Sequence, residues 1–536
     1  MPESVTLIGY LDQDNLGIGY LASMLLQRGY RPIILDYRLG PERIRESIFV
    51  NRPLVVGFSI IFQYYAADFR LLMQDLRQSG IRSHFTAGGH YPSLRCRELL
   101  TASPDLDSVV RFEGEHTFLE LVIALAQGKE WRGIEGLAYV ADGAVVENPL
   151  RPLEPDLDNF PIPVRAPVRP ESVGHREATI LAGRGCLYNC SFCSIRQFYS
   201  APPGRLKRIR RPEMVADEMT LLNQELGCTI FHFQDDDFPG AARQGQAWAE
   251  RFCEALHARG LTRKLLWRIS CRADEVVPDR MKLMRDAGLF SVYLGIESGN
   301  EAGLALMNKH VSRDVNLAAV AGLERLGLTC DFGYMLFDPL STWQTIRENL
   351  DFLDQICADG YTSVTACKMI PYAGTAIEEE LRRSNRLKAF REYEDYDFLD
   401  PAVDDFYAWF AKAFTHWMQA PRGLLNLSRT ARCQLDILAR FSQLGGCEHS
   451  VRQNVTECVS SANRFFTGVM RDAVSLWETG AVPRPAEVDM LAQRVRDFEA
   501  ALEPRLESAI AALGGEAGPP ARRAAPIDPV VALRAG

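Results

Sequence analysis

Three features are scarce in this chain of 536 residues, and each scarcity excludes a class of protein. No apolar run approaches the roughly 20 residues that a membrane-spanning helix needs. Basic residues do not outnumber acidic ones, and the formal net charge of −9 argues against a general nucleic-acid-binding protein. The N-terminus, MPESVTLIGY, lacks the basic start and small-residue cleavage site of a secretory signal. We therefore expect a cytoplasmic protein with reduced thiols and no nucleic-acid or membrane partner.

Short apolar runs alternate with helical segments over residues 5–127. The runs VTLIGY, RPIILDY, LVVGFSI, HFTAGG and SVVRF are continuous rather than alternating, which is typical of strands buried on both faces. Strict alternation of strand and helix predicts an α/β fold with a doubly wound parallel sheet, which we assign to residues 1–135. Ligands of such sheets bind at the carboxyl ends of the strands, where this stretch has its glycines.

The rest of the chain predicts a second α/β domain and a helical one. Residues 136–174 read as a hairpin that turns near Asp142 and Gly143, followed by a proline-rich linker that cannot be helical. Six strand-helix units over residues 175–376 are too few for an eight-stranded barrel and predict a partial (β/α)6 barrel of the TIM type. Residues 377–514 predict a C-terminal helical domain that shapes the substrate pocket, and residues 515–536 predict a disordered tail.

Thirteen cysteines occur as scattered single residues, apart from Cys186, Cys190 and Cys193. These three follow the first barrel strand, on the face where barrel enzymes keep their chemistry. Both a tetrahedral zinc site and a cubane iron–sulfur cluster need four attachment points, so one ligand must come from elsewhere. A zinc site completed by Cys228 or by a histidine is one alternative. Zinc sites usually pair CxxC groups, however, and three cysteines within eight residues favour a cluster.

The spacing Cys186-x3-Cys190-x2-Cys193, with Phe192 before the last cysteine, resembles that of the radical S-adenosylmethionine (SAM) enzymes. The resemblance extends over residues 175–375. In that family three cysteines hold a [4Fe-4S] cluster, and the amino and carboxylate groups of SAM chelate the open iron. An electron from the cluster cleaves the sulfonium and yields a 5′-deoxyadenosyl radical. The resemblance therefore implies an electron donor such as flavodoxin or ferredoxin.

Polar residues follow the second and third barrel strands. Asp235, Asp236 and Asp237 are three adjacent carboxylates that repel one another, so stability alone would not place them together at a strand end. The family holds the ammonium group of SAM there, which implies a cofactor role for Asp235 and Asp236; a solvated turn is the alternative. Ser270 and Arg272 stand where the family contacts the ribose and the carboxylate of SAM.

Later strand ends continue the pattern. Glu297 and Ser298 interrupt an otherwise apolar strand, where an ionised group needs a partner. The family uses such a glutamate on the cofactor; a buried glutamate paired with a barrel arginine is the alternative. Tyr334, Asp338 and Tyr372 follow the fifth and sixth strands and are assigned to the substrate side by the same resemblance.

The front domain resembles the cobalamin-binding domain found upstream of many radical SAM barrels, on the stretches LDQDNLGIGY, VVGFSIIF, TAGGHYPS and RFEGEHT. The D-x-H-x-x-G signature of cobalamin domains keeps its spacing at residues 12–17, but Asp14 replaces the cobalt-binding histidine. Cobalamin could bind without a protein ligand on cobalt, or the domain could have lost it and serve as a scaffold. The resemblance assigns five residues to the cobalamin site: Asp14, Gly17, Ser59, Gly88 and Gly89.

These features together predict a cobalamin-dependent radical SAM methyltransferase. Its substrate would be an unactivated carbon, with phosphorus as second choice, of a small-molecule intermediate in natural-product biosynthesis. The same architecture could instead catalyse dehydration, ring contraction or cyclisation, with or without cobalamin. A cobalamin-binding sensor with a vestigial barrel conflicts with the intact cysteine triplet. An RNA methylthiotransferase is disfavoured because those enzymes end in a small basic β-domain, whereas this chain ends in acidic helices.

Overall fold

The computed structural model describes residues 3–11, 14–165, 171–390, 393–444, 448–480 and 483–514. The predicted tail at 515–536 lies outside the described residues. The strands are β1 (Ser4–Gly9), β2 (Arg31–Asp36), β3 (Val55–Ser59), β4 (His84–Gly88), β5 (Ser108–Val110), β6 (Leu137–Ala141), β7 (Ala144–Glu147), β8 (Glu171–Ser172), β9 (His175–Ile180), β10 (Gly183–Arg184), β11 (Arg208–Ile209), β12 (Cys228–Phe233), β13 (Leu266–Arg272), β14 (Leu289–Glu297), β15 (Thr329–Phe337), β16 (Cys367–Lys368), β17 (Leu387–Phe390) and β18 (Tyr393–Tyr396).

The helices are α1 (Leu16–Gln27), α2 (Pro41–Asn51), α3 (Ala66–Gln78), α4 (His90–Leu94), α5 (Cys96–Ala102), α6 (Glu115–Ala126), α7 (Ile195–Ser200), α8 (Pro212–Leu226), α9 (Gln246–Ala258), α10 (Pro278–Asp286), α11 (Glu301–Leu306), α12 (Arg313–Arg325), α13 (Trp343–Cys357), α14 (Ala376–Arg383), α15 (Pro401–Gln419), α16 (Leu424–Arg440), α17 (Glu448–Trp477) and α18 (Pro485–Ala512). Within the described residues, none of these helices has the length and apolar character of a membrane span.

The chain forms two compact units that group its segments differently from the predicted domain boundaries. The first unit is Met1–Val168, Gly185–Arg210 and Pro371–Asp395, and the second is Arg169–Arg184, Arg211–Ile370 and Tyr396–Gly536. Buried ion pairs hold the first unit together: Arg208 binds Glu113 at 2.8 Å, and Arg95 binds Glu378 at 2.7 Å. Such pairs join residues far apart in sequence, so no local pattern announces them.

The first unit contains a seven-stranded sheet in the order β2-β1-β3-β4-β5-β6-β7. The strands β1 to β5 pair in parallel, and β6 and β7 extend the sheet as an antiparallel hairpin. That hairpin turns at Asp142 and Gly143, whose positive φ values of 51° and 77° suit a tight hairpin turn. Because the chain order reverses between β1 and β3, the ligand crevice of this doubly wound sheet lies at their carboxyl ends.

The second unit contains the predicted partial barrel. Its sheet has the order β16-β15-β14-β13-β12-β9-β8, in which six strands are parallel and β8 is an antiparallel edge. The sheet ends at β16 instead of closing on the opposite edge. The helices α8 to α13 fall between these strands in the chain. The α/β fold class and the partial barrel of six strand-helix units are therefore confirmed.

One C-terminal helix, α16, packs on the barrel of the second unit at a place that the sequence did not predict, whereas Phe410 of α15 lies 5.1 Å from Phe337 at the carboxyl end of β15. Ile437 of α16 shares an apolar cluster with Ile230, Leu266 and Phe290, which lie near the starts of their strands. The hydroxyl of Thr329, the first residue of β15, donates to Asp436 at 2.5 Å. Helix α16 therefore covers the amino ends of the strands, opposite to the end where barrel enzymes bind substrate.

One short stretch of the predicted helical region is extended. The strands β17 and β18 pair as a two-stranded sheet, although residues 377–514 were expected to be helical throughout. The sequence LKAF…YEDY is rich in aromatic residues, which favour strands over helices.

Candidate active site

The three cysteines lie on one loop of the first unit. Cys186, Cys190 and Cys193 are each half-buried. The amide of Cys193 donates to the carbonyl of Cys190 at 3.2 Å, which closes a turn between them. The amide of Ile377 donates to the carbonyl of Ser191 at 3.0 Å and fixes the loop from outside. A single anchored loop thus presents three thiols close together in the chain.

The start of this loop requires a glycine. Gly185 has a φ of +83°, and a Cβ added there would lie 1.9 Å from the carbonyl oxygen of Leu206. Phe192 is buried between the last two cysteines of the loop. Cys186 and Cys193 pack against an apolar cluster that includes Phe198 of α7. An apolar surround limits access of water to a bound cluster, which tunes its reduction potential.

The carboxyl ends of β1 and β3 meet through Asn15, a residue that the sequence analysis did not single out. Its side-chain nitrogen donates to the carbonyl of Tyr10 at 3.1 Å and to the Ser59 hydroxyl at 3.5 Å. Its side-chain oxygen caps α1 by accepting from Ile18 at 3.2 Å. An Asn before an apolar helix is a typical N-cap, which was the available signal. The preceding Asp14 is half-buried with a φ of +69°.

Glycines keep the rest of this edge flat. Gly89 has a φ of +109°, and a Cβ there would lie 2.6 Å from the carbonyl oxygen of Ile60. The amide of Ile60 donates to the carbonyl of Gly88 at 2.8 Å, so the ends of β3 and β4 are in direct contact. Gly17 is exposed in the first turn of α1. The five residues predicted for cobalamin thus lie along the carboxyl edge of one sheet, with little side-chain bulk, as a large planar ligand requires.

An aromatic wall continues from this edge. Tyr10 stacks on Tyr65 with ring centroids 4.2 Å apart, and Phe62 lies 6.3 Å from the ring of Tyr372. Gln63 fixes the segment that carries Tyr372: its amide nitrogen donates to the carbonyl of Pro371 at 3.2 Å. Its amide oxygen accepts a hydrogen bond from the backbone N–H of Ala373 at 2.8 Å. Tyr372, predicted to face the substrate, therefore belongs to the first unit.

In the second unit, Asp235 links the ends of two neighbouring strands. Both of its carboxylate oxygens lie 3.1 Å from the backbone nitrogen of Ala182, which donates to them. Asp235 and Asp237 are buried, whereas Asp236 is exposed. Only the middle carboxylate thus lies in solvent, and a solvated turn does not account for the two that flank it.

Ser270 and Arg272 lie at the end of β13 with contrasting surroundings. The Ser270 hydroxyl oxygen is buried and makes no hydrogen bond to the described residues. Such an oxygen is a candidate for a ligand contact. The Arg272 guanidinium donates to Asp274 at 2.9 Å and to the carbonyl of Lys309 at 2.6 Å. Arg272 therefore holds a neighbouring segment, besides any contact with cofactor.

Glu297 is a buried carboxylate with a single charged hydrogen-bond partner among the described residues. Its side chain is 4% exposed, and its Oε1 accepts from the Nζ of Lys309 at 3.0 Å. Its Oε2 is buried and receives no hydrogen bond within the described part of the chain. Burial raises the pKa of the Glu297 carboxyl, and the Lys309 ammonium opposes that shift. The ion-pair partner is thus a lysine, not the barrel arginine of the alternative interpretation, and one carboxylate oxygen remains for a ligand.

The backbone around Glu297 is shaped for this pairing. Glu297 has a φ of +68°, a conformation that costs energy for a residue with a side chain. A Cβ at Gly295 would lie 2.8 Å from both Oε1 of Glu297 and Nζ of Lys309. Any side chain at this position would therefore force the ion pair to shift. Strain of this kind clusters at binding and catalytic sites.

The structure turns two predicted residues away from the barrel interior. The Ser298 hydroxyl lies 3.2 Å from the side-chain oxygen of Asn349, and the Tyr334 hydroxyl donates to that oxygen at 2.8 Å. Asn349 belongs to α13, so both side chains lie between the sheet and its helices. Their hydroxyls are buried and already bonded within the protein, and the predicted substrate role of Tyr334 stays a prediction.

Asp338 forms a turn at the end of β15. Its carboxylate accepts from the backbone of Leu340 at 2.8 Å, and its own amide donates to the Ser341 hydroxyl at 2.8 Å. Burial raises the pKa of Asp338. These bonds give the residue a structural reason to be there, and its predicted role toward substrate stays a prediction.

Comparison with known proteins identifies both modules. The radical SAM superfamily model matches residues 180–353, and the B12 binding domain model matches residues 7–122. The relative named uncharacterized methyltransferase PH0819, from Pyrococcus horikoshii, is 28% identical over 395 residues, 72% of this chain and 82% of the relative. The anaerobic magnesium-protoporphyrin IX monomethyl ester cyclase of Rubrivivax gelatinosus is 28% identical over 403 residues, 72% of this chain and 69% of the relative.

A solved structure shares the fold over most of the chain. The cobalamin-dependent S-adenosylmethionine radical enzyme OxsB, solved with aqua-cobalamin bound, superposes with a TM-score of 0.67 over 96% of this chain and 79% of that one. At 16% identity the likeness establishes the fold alone. The barrel and the cysteine loop define a radical SAM enzyme. Together with the front sheet, the chain therefore combines a radical SAM domain with a B12-binding domain.

The cofactors of this enzyme are a [4Fe-4S] cluster, SAM and cobalamin. The residues present fit them. Three cysteine thiols suit a cluster with one iron left open. The buried, unbonded oxygens of Ser270 and Glu297 suit the polar groups of SAM. When bound, the cluster would supply the electron for reductive cleavage of SAM, and cobalamin would supply a redox-active cobalt centre.

Proposed function

We propose that this enzyme is a methyltransferase that places a methyl group on an unactivated carbon, with phosphorus as second choice, of a small-molecule biosynthetic intermediate. The name of the Pyrococcus horikoshii relative supports methyl transfer. We further propose that it works in the cytoplasm with flavodoxin or ferredoxin as electron donor.

The observation that carries the proposal is the proximity of the two cofactor loops within the first unit. His90, which follows Gly88 and Gly89, lies with its ring 4.2 Å from that of Phe198. Phe198 belongs to α7, the helix that follows the cysteine loop directly. A methyl carrier and a radical source held on one compact body support a reaction in which both act on the same substrate.

The proposed roles of the chain's own residues follow from their contacts. The three cysteines hold the cluster. Asp235, at the end of β12, and Glu297, through its unbonded Oε2, receive donor groups of SAM. The other residues predicted to contact SAM or its cluster are Phe192, Asp236, Ser270, Arg272 and Ser298. On the cobalamin side, Asn15 fixes the Ser59 hydroxyl at the sheet edge, and the aromatic wall of Tyr10, Tyr65, Phe62 and Tyr372 excludes water from it.

The alternative function is radical chemistry without methyl transfer. The relative named as a cyclase matches this chain as well as the methyltransferase does, at 28% identity. Asp14, in place of a cobalt-binding histidine, is compatible with either function.

An experiment that needs no substrate separates them. Anaerobically reconstituted enzyme with cobalamin would be reduced in the presence of SAM labelled in its methyl group, and the extracted corrin analysed by mass spectrometry. Methyl transfer predicts label on the corrin together with S-adenosylhomocysteine. Production of 5′-deoxyadenosine with an unlabelled corrin would contradict the proposal and support the alternative.

A further inference from the structure

A cluster of His416, Glu499 and Glu503 joins two C-terminal helices of the second unit. His416 lies in the last turn of α15, and the two glutamates lie one turn apart on α18. Nδ1 of His416 lies 3.3 Å from Oε1 of Glu499 and 3.2 Å from Oε1 of Glu503. The three candidate ligand atoms all lie within 4.8 Å of one another.

One oxygen of the cluster lacks a donor. Nδ1 of an imidazole carries at most one hydrogen, and it bonds Glu499. Oε1 of Glu503 is buried and receives no hydrogen bond within the described residues. Arg422, one turn beyond, is bound to Glu507 at 2.7 Å instead. A buried carboxylate oxygen without a donor, aimed at a second carboxylate and an imidazole, calls for a cation.

The two distances from Nδ1 of His416 to the carboxylate oxygens also suit a metal ion. Ligand atoms about 2.1 Å from a metal lie about 3.0 Å apart at right angles and about 3.4 Å apart at the tetrahedral angle. The observed 3.2 and 3.3 Å fall between these values. Imidazole and carboxylate donors together suit divalent ions such as zinc, whereas magnesium and calcium prefer oxygen alone.

The helices hold the ligands in place before any ion binds. Trp417, next to His416, is buried, and its ring lies parallel to that of Phe498, next to Glu499, at 5.9 Å. Phe498 in turn stacks on Phe465 of α17 at 3.9 Å. His416 itself is 53% exposed, which leaves a path for an ion and a position for water.

We propose that His416, Glu499 and Glu503 bind one divalent metal ion of the zinc type, with water completing the coordination, and that the ion crosslinks α15 and α18. The alternative is an ion-pair triad in which a protonated His416 serves both glutamates without metal. This site is separate from the cluster and from both cofactors, so its failure would leave the proposed function untouched.

Zinc is the probe. The cysteine loop is the other place in the chain that could bind zinc, so it must be occupied by its cluster first. Wild-type enzyme with a fully reconstituted cluster would be equilibrated with zinc, and bound zinc measured by mass spectrometry. X-ray absorption then reports the ligands: nitrogen and oxygen at about 2.0–2.1 Å for this site, sulfur at about 2.3 Å for the cysteines. We expect one zinc per chain with a nitrogen and oxygen shell.

Two variants and one control complete the test. His416→Ala and Glu503→Gln should each weaken zinc binding by at least about 100-fold, since even indirect changes at metal sites cost up to that factor. His449→Ala removes an exposed histidine of α17 and should bind zinc as wild type does. Retained cluster absorbance shows that each variant is folded. Equal zinc binding by all four proteins, a sulfur shell, or no zinc on wild type would overturn the proposal.

Discussion

Replacing Lys309 by methionine should leave Glu297 as a buried carboxyl without its cation. The two side chains are 5% and 4% exposed, and the atoms of the pair lie 3.0 Å apart. Two unit charges at that distance attract by on the order of 5 kcal/mol at an effective dielectric of about 20. Removing one partner of a buried pair typically costs about 3–5 kcal/mol. Methionine keeps most of the length of lysine, so the change isolates the charge.

The cost should depend on pH in a direction set by the pKa of Glu297. Burial already raises that pKa and Lys309 opposes the rise, so the variant should have a still higher value. A carboxyl whose folded pKa lies above its unfolded value of about 4.3 stabilises the fold fully only below that value. The stability is lost as pH rises through the folded pKa. Lys309→Met should therefore be most destabilised near neutral pH and closest to wild type in acid.

The assay is urea unfolding of the reconstituted enzyme at about pH 5 and about pH 7.5, followed by the loss of far-ultraviolet circular dichroism. Lys282→Met is the matched control, because Lys282 pairs with Asp286 at a similar 2.9 Å but with side chains 60% and 49% exposed. Exposed pairs contribute only about 0–1 kcal/mol. Equal urea midpoints for the two variants at neutral pH would refute the reasoning.

A double-mutant cycle separates the effect of Glu297 on the stability of the fold from its effect on SAM affinity. Glu297→Gln should weaken SAM binding by about 1.5–3 kcal/mol if Oε2 bonds a charged group of SAM, roughly 10- to 150-fold. Adding Lys309→Met to it removes both charges, which should recover stability relative to Lys309→Met alone. SAM affinity should not recover. Unchanged affinity in Glu297→Gln would mean that Glu297 serves the fold only.

Two further predictions concern the first unit. Cys190→Ala should abolish both cluster binding and cleavage of SAM to 5′-deoxyadenosine, because two cysteines cannot hold the cubane as needed; full cleavage by this variant would remove the central assignment. Since Asp14 stands where a cobalt-binding histidine could be, bound cob(II)alamin should show no nitrogen superhyperfine splitting in its electron paramagnetic resonance spectrum. Splitting from an axial nitrogen would contradict that prediction.

The sheets and the cysteine loop were predictable because their signals are local. Continuous apolar runs of strand length marked β1 to β5, and the spacing of Cys186, Cys190 and Cys193 needs only eight residues of sequence. The grouping of residues 371–395 with the front sheet was not predictable. It depends on contacts such as Gln63 with Pro371, which are 308 positions apart, and on ion pairs with no sequence pattern of their own.

At the strand ends, the type of a residue does not show which face of the sheet its side chain points to. Glu297 and Ser298 are neighbours, and both were assigned to the cofactor. Glu297 lies with Lys309, whereas Ser298 lies against Asn349 of α13. Successive side chains of a strand point to opposite faces, so an error of one residue in register moves a polar group from the lumen to the helical layer. Tyr334 falls on that outer layer for the same reason. The irregular pairing of β14 with β15 between Gly295 and Glu297 and the left-handed backbone of Glu297 are the features that set which residue faces the pocket.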